Sequence, residues 1–337
     1  MAVKTKRKAE VVATALPEIV WDKELTNSAR TTFLQCRKKF EWQYLRRLSP
    51  RAPSIPFLVG GLVHNGLERM YVSKRFDEQE ERKIAAEACE KVSMDASLTP
   101  EQSDKLWVQQ AMVMGILKGY AKHYLKDDLA KWEIIGAETS FVHPLPAPGV
   151  TGWKARGKRD MIIRLKKNGK IGLVEHKTAG RLDASYIAKL PLDSQILGYA
   201  RSMEFDKGKG LGKLPDFIVY NVAKKSQLRQ GQRETYDQYR KRIEDEYEQN
   251  PTVYFYREVL SFSKRDVERF EEERTKFVKE MQRAIDEKYF YMNTNHCTAM
   301  GVCPYMRLCI EGPNKNNLVH YKVRENVHPE LDEEEPA

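Results

Sequence analysis

The stretch "GLVEHKTAG", residues 172–180, decides how the chain is read. Its apolar opening runs as a buried strand, yet it ends on Glu175 and Lys177 before a small-residue turn. Residues two apart on a strand share a face. A carboxylate and an ammonium therefore project together from a strand entering a core, where neither type is at home unless paired. Upstream, "GKRDMII" places Asp160 at the start of another apolar run, and Asn168-Gly169 between the two runs is a hairpin signal. A hairpin there brings Asp160 beside Glu175. Two carboxylates at close range repel unless a cation intervenes, and hard oxygen ligands suit Mg²⁺ or Mn²⁺. Lys177 beside them is placed to position or deprotonate a water, or to neutralise charge developing on a phosphate. A plain surface salt bridge is the competing reading of Glu175 and Lys177.

Outward from this stretch, the chain reads as an α/β core. A helix is expected over 25–48, a Pro-rich loop at "SPRAPSIP", and a second helix from near Gly60 carrying His64, Leu67 and Met70. Residues 75–131 stay helical and charged, as an all-helical insertion. Three strands follow from Trp132, then a helix over 192–204, a strand over 216–222, a polar region over 224–250, a strand in "YFYREVLSF" and an amphipathic helix over 263–289. The chain of 337 residues carries 58 Lys and Arg against 48 Asp and Glu, a net charge of +10 that suits a polyanionic partner. No apolar run approaches the roughly 20 residues of a membrane span. The start, "MAVKTKRKAE", has no apolar signal region, so a cytoplasmic protein with a flexible basic tail over 1–24 is expected.

The pattern of "GKRDMII" and then "EHK", with fourteen residues between Asp160 and Glu175, resembles the PD-(D/E)xK nuclease superfamily. More narrowly it is similar to the RecB-type exonuclease branch, in which a histidine follows a glycine in an early helix and a Q-x-x-x-Y motif follows the active-site strands. Here "VGGLVHNGLE" supplies His64, and "QILGY" supplies Gln195 and Tyr199, which a helix sets on one face. The resemblance implies a restriction-endonuclease-like core over 25–310, a mixed central sheet flanked by helices. Asp160 and Glu175 would be metal ligands and Lys177 the catalytic lysine. His64 and the backbone carbonyl of His176 would complete the shell for Mg²⁺ or Mn²⁺, while Gln195 and Tyr199 would steady the site or touch substrate. Relatives often carry a glutamate where Glu138 stands, in a supporting role.

Near the C-terminus "CTAMGVCPYMRLC" sets Cys297, Cys303 and Cys309 at equal intervals, with Cys36 far upstream. The same branch has iron–sulfur members in which three clustered cysteines and one distant cysteine hold a 4Fe–4S cluster, joining residues 290–310 to Cys36 here; residues 311–337 would be a C-terminal tail. Zinc is the rival metal, although no C-x₂₋₄-C pair is present. Cys89 reads as helix packing. The expected function is metal-dependent exonuclease cleavage of DNA in recombination, repair or phage DNA metabolism. A CRISPR-adaptation-type end-trimming nuclease and a non-catalytic DNA-binding protein of the same fold are the alternatives. The chain has no GxxxxGK[ST] phosphate loop, so unwinding would need a helicase or recombination partner.

Overall fold

The computed structural model describes residues 13–51, 55–94, 98–208, 211–299, 301–328 and 331. The basic run "KTKRK" and the acidic end of the chain lie outside them. Among the described residues there are eight strands: β1 (Glu24–Leu25), β2 (Leu48–Pro50), β3 (Trp132–Pro144), β4 (Lys154–Leu165), β5 (Ile171–Ala179), β6 (Phe217–Lys224), β7 (Phe255–Leu260) and β8 (Tyr321–Val323). The fold is mixed α/β, with a central mixed sheet flanked by helices, and it divides into two compact units.

The larger unit lies within residues 53–143 and 157–272. Its sheet runs β4-β5-β6-β7, and β3 also pairs with β4. The expected hairpin is present: β4 and β5 are antiparallel, with Met161 opposite Val174, and Gly169 in their turn has φ 72°. That left-handed conformation is the one glycine adopts without a Cβ penalty. β5 and β6 run parallel, so the chain must cross over between them, and the helix Ser194–Ser202 lies in that crossover.

Alternation sorts the strand residues onto two faces. Met161, Ile163, Val174, Val219 and Ala223 pack with the helices Ile55–Ser73 and Pro100–Tyr120. Ile162, Leu173, Val222 and Tyr220 pack with Ile196 and Ala200 of the crossover helix. Behind the sheet the long helix Pro100–Tyr120 meets the helix Tyr236–Gln249 closely. A Cβ on Gly115 would lie 2.6 Å from the Tyr247 ring, and one on Gly119 would lie 3.0 Å from the Tyr247 carbonyl oxygen.

The smaller unit lies within residues 1–52, 144–156 and 273–334. The single helix expected over 25–48 is instead interrupted. Thr26 caps the helix Asn27–Gln35, accepting the Ala29 N–H at 3.1 Å. Cys36 then adopts an extended conformation, φ −161°, before the chain coils again over Arg37–Phe40 and a wider turn in which the Arg46 N–H reaches the Glu41 carbonyl. Helical periodicity continues through the break because Phe33, Phe40 and Tyr44 all enter one core with Phe277 and Val278. Both presumed tails are partly structured: Ala13 is buried and donates its N–H to the Tyr321 carbonyl, and β8 pairs antiparallel with β2.

Candidate functional site

β5 delivers Glu175 and Lys177 to one face, as alternation requires. Extending the β4–β5 register one step beyond the Met161–Val174 pair sets Asp160 across from Glu175. The ladder stops there, and the His176 backbone N–H donates to Asp160 Oδ2 at 2.7 Å instead. Glu175 is fully buried. Its Oε1 accepts from Lys177 Nζ, while its Oε2, also buried, has no hydrogen bond. Lys177 Nζ also donates to Gln195 Oε1 at 2.9 Å, and Gln195 Nε2 donates to the Tyr199 hydroxyl at 2.8 Å. Asp193 caps the helix that carries both, accepting the Gln195 N–H at 2.9 Å. The Q-x-x-x-Y pair is thus a bracket that fixes the lysine.

His64, from the helix Ile55–Ser73, points Nδ1 at Asp160 Oδ1, 3.5 Å away. A third side chain joins them: ligand atoms of His64, Glu138 and Asp160 all lie within 4.8 Å of one another, a possible acidic metal site. Glu138 reaches this position from β3 through a backbone at φ 48°, a left-handed conformation that costs a non-glycine residue about 1–3 kcal/mol. Lys158 Nζ holds its carboxylate at 2.9 Å. The resemblance gave Glu138 a supporting role and no place among the expected ligands. One glutamate in a strand carries no local signal that its backbone will turn it inward.

Electrostatics treat the members of the set differently. Burial and the neighbouring Asp160 push the Glu175 carboxyl up to about 8, so near neutrality it holds a proton. Burial would raise Asp160 as well, but His64 and Lys177 outweigh it and hold Asp160 well below the usual carboxylate range. Burial would lower His64, and Asp160 reverses that, so the imidazole is drawn toward its charged form. Lys177 is likewise raised by Glu175 and Asp160 against the effect of burial and stays an ammonium. The two carboxylates and one imidazole of His64, Glu138 and Asp160 fit Mg²⁺ or Mn²⁺; Glu175, whose buried Oε2 has no hydrogen bond, lies outside that group of three. The His176 ring faces away from this set. Burial lowers it to about 3, and it stacks on Tyr71 in the opposite layer.

That opposite layer is polar at its centre. Arg257 donates to both Asp128 oxygens, at 2.7 and 2.8 Å, and to Asn221 Oδ1 at 2.6 Å. Asn221 sits beside His176 in the β5–β6 register.

The four expected cluster cysteines are all free thiols, and Cys36, Cys297, Cys303 and Cys309 line one cavity of about 90 Å³ in the smaller unit. The Asn293 N–H points at Cys36 Sγ, 3.4 Å away, and Trp42 Nε1 at Cys309 Sγ, 3.5 Å away. No three of the sulfurs lie within 4.8 Å of one another among the described residues, so they form no compact ion-binding set, and no iron–sulfur cluster is evident. Cys89 is buried in the helical insertion, as expected of packing.

A family model described as the PD-(D/E)XK nuclease superfamily matches residues 24–310. No curated protein matches the chain. Among solved structures, one titled "Crystal structure of SSO0001" is similar at 16% identity, covering 57% of this chain and 73% of that one with a TM-score of 0.21. Among the described residues no helix is long and apolar enough to cross a membrane.

Proposed function

The chain belongs to the PD-(D/E)XK nuclease superfamily, and from that premise we propose that it is a Mg²⁺- or Mn²⁺-dependent deoxyribonuclease, an exonuclease working on DNA ends. The observation that carries this reading is the buried Asp160–Glu175–Lys177 set with Glu175 Oε2 left without a hydrogen bond. Asp160, Glu175, His64 and Glu138 would hold the cation, with the His176 carbonyl adjoining. When bound, such a cation polarises a phosphoryl oxygen and raises the acidity of water. Lys177, fixed by Glu175 and Gln195, has one N–H left to donate to the attacking water or to a phosphate oxygen. Its charge offsets the charge that develops on the phosphate in the transition state. The net charge of +10 supports nucleic acid as the partner.

The reading extends to the cysteine cavity, for which we propose a 4Fe–4S cluster held by Cys36, Cys297, Cys303 and Cys309. Support comes from four reduced thiols around one cavity and from N–H groups directed at two sulfurs, the type of contact that tunes such clusters. A tetrahedral zinc would need sulfurs about 3.8 Å apart, closer than any three stand here. A polynuclear cluster spaces its ligands more widely.

The deciding assay incubates purified protein with Mn²⁺, Mg²⁺ or EDTA on end-labelled linear DNA, single- and double-stranded, and on closed circles. Metal-dependent release of short products from linear DNA, with circles spared, is the expected result. Equal cleavage of circles would make the enzyme an endonuclease. No cleavage of any substrate with either metal would remove the catalytic reading and leave a DNA-binding protein of this fold.

A further inference from the structure

Two lysines outside the metal set stand at the same end of the sheet with nothing to bind. In the parallel β5–β6 register Lys177 lies beside Val222 and Ala179 beside Lys224. Lys224 therefore faces the same side as Lys177 and is its diagonal neighbour, about 7–8 Å away. Lys225 follows directly. Both are half-buried, and among the described residues neither ammonium has an ion pair or a hydrogen bond. The other cations near the site are engaged: Lys177 by Glu175, Lys158 by Glu138 and Arg159 by Asp206.

Their backbone is fixed in place. The Lys225 N–H donates to the Ala179 carbonyl at 2.7 Å, closing β6 onto the turn that ends β5. The Tyr247 hydroxyl donates to the Lys224 carbonyl at 2.8 Å and accepts the Ser226 N–H at 2.8 Å. Tyr247 is itself fully buried. Burial without a counter-charge depresses the Lys225 pKa, so holding this ammonium here costs free energy in the absence of an anion. A rigid backbone carrying two unpaired cations at the end of β6, one of them on the face of Lys177, is the arrangement that an oxyanion offsets.

We propose that Lys224 and Lys225 form a phosphate subsite for the nucleic-acid strand, holding a backbone phosphate adjacent to the one that faces Lys177. This rests on the nuclease reading for the identity of the strand. The subsite would set the register of the substrate over the metal ligands without reading its sequence.

Binding of a fluorescent single-stranded oligonucleotide in Ca²⁺, measured by anisotropy across a salt series, tests it whether or not cleavage occurs. Each phosphate contact on a single strand contributes roughly 0.7 to the slope of log affinity against log salt. Lys224→Gln/Lys225→Gln removes the one phosphate contact and should therefore lower the slope by roughly 0.7, and the double Arg variant should restore it. Lys167→Gln, in the turn at the far end of β5, removes the same kind of charge and should leave the slope nearly unchanged. An unaltered slope in the double Gln variant, an equal loss in Lys167→Gln, or wild-type protein that does not bind the oligonucleotide would each overturn the subsite. If the slope falls as expected but wild-type protein cleaves nothing in Mn²⁺, the nuclease reading fails and the subsite stands.

Discussion

Glu175 and Glu138, the two glutamates proposed to hold the cation, show how differently the members of one candidate site can be written in a sequence. Glu175 was legible because period-two alternation ties it to Lys177, and Asn168-Gly169 announces the hairpin that brings Asp160 alongside. Glu138 was not, since its place depends on a left-handed backbone inside a strand and on a neighbour 22 positions later. Asp160→Asn, Glu175→Gln and Lys177→Ala should each lower kcat by about 10³-fold or more, consistent with several kcal/mol of transition-state stabilisation. Glu138→Gln should act on metal binding instead, raising the Mn²⁺ concentration for half-maximal rate by about 10–100-fold while sparing DNA binding. Wild-type metal dependence in that variant would return Glu138 to a structural partner of Lys158. The pH dependence follows in sign from Glu175. Its carboxyl holds a proton up to about pH 8, and a cation must displace that proton. Calorimetric Mn²⁺ affinity should therefore climb as pH rises from 6 toward 8 and then level off. Affinity that stays flat over this range would mean that Glu175 is already ionised in the metal-free protein.

Elements were read well where periodicity and turn chemistry agree, as in β4, β5 and the helix carrying Gln195 and Tyr199. The failure lies at Cys36. Apolar spacing on both sides of it is helical because both segments feed one core, and periodicity cannot register a single extended residue between them. The glycines of the helical layer give an opposed pair of expectations. At Gly119 an added Cβ would meet Tyr247 backbone and side chain at 3.0 and 2.9 Å, so Gly119→Ala should destabilise the protein by about 1–3 kcal/mol through overpacking. Gly61, in the helix bearing His64, is exposed with nothing within 4 Å of an added Cβ. There Gly61→Ala should stabilise by roughly 0.5–1 kcal/mol through helix propensity. Urea melts of the two variants check both signs, and a shared direction would mean that propensity or packing alone governs this layer.

For the molecule as a whole, the Pro-rich stretches "SPRAPSIP" (49–56) and "PLPAPG" (144–149) fall at two crossings between the units, yet local composition does not say which stretches of chain belong together. The smaller unit gathers three separate stretches of chain, and only long-range contacts reveal it. A cluster joining Cys36 to Cys297 would close a loop of 260 intervening residues. Chain-entropy estimates put such a cross-link at about 5–6 kcal/mol, comparable with the 5–15 kcal/mol net stability of a typical domain. Protein purified without oxygen should be brown, with iron and acid-labile sulfide in similar amounts. Cys303→Ala should be colourless and more readily cut by protease, with activity lost through the fold. Colourless wild-type protein of undiminished stability would leave the four cysteines as packing.

The smaller unit's discontinuity also imposes a schedule on synthesis. Cys36 leaves the ribosome 261 residues before Cys297, and at about 5–20 residues per second that interval is roughly 13–52 s. For most of it the helix Asn27–Gln35 lacks Phe277, Val278 and Met281, the partners that complete its core, while the larger unit's strands have already emerged by Leu260. The face carrying Asp160, Glu175 and Lys177 can thus assemble while the first-made segment still waits, its thiol open to alkylating reagents. Nascent chains stalled before residue 273 should be labelled at Cys36, and finished chains should be protected.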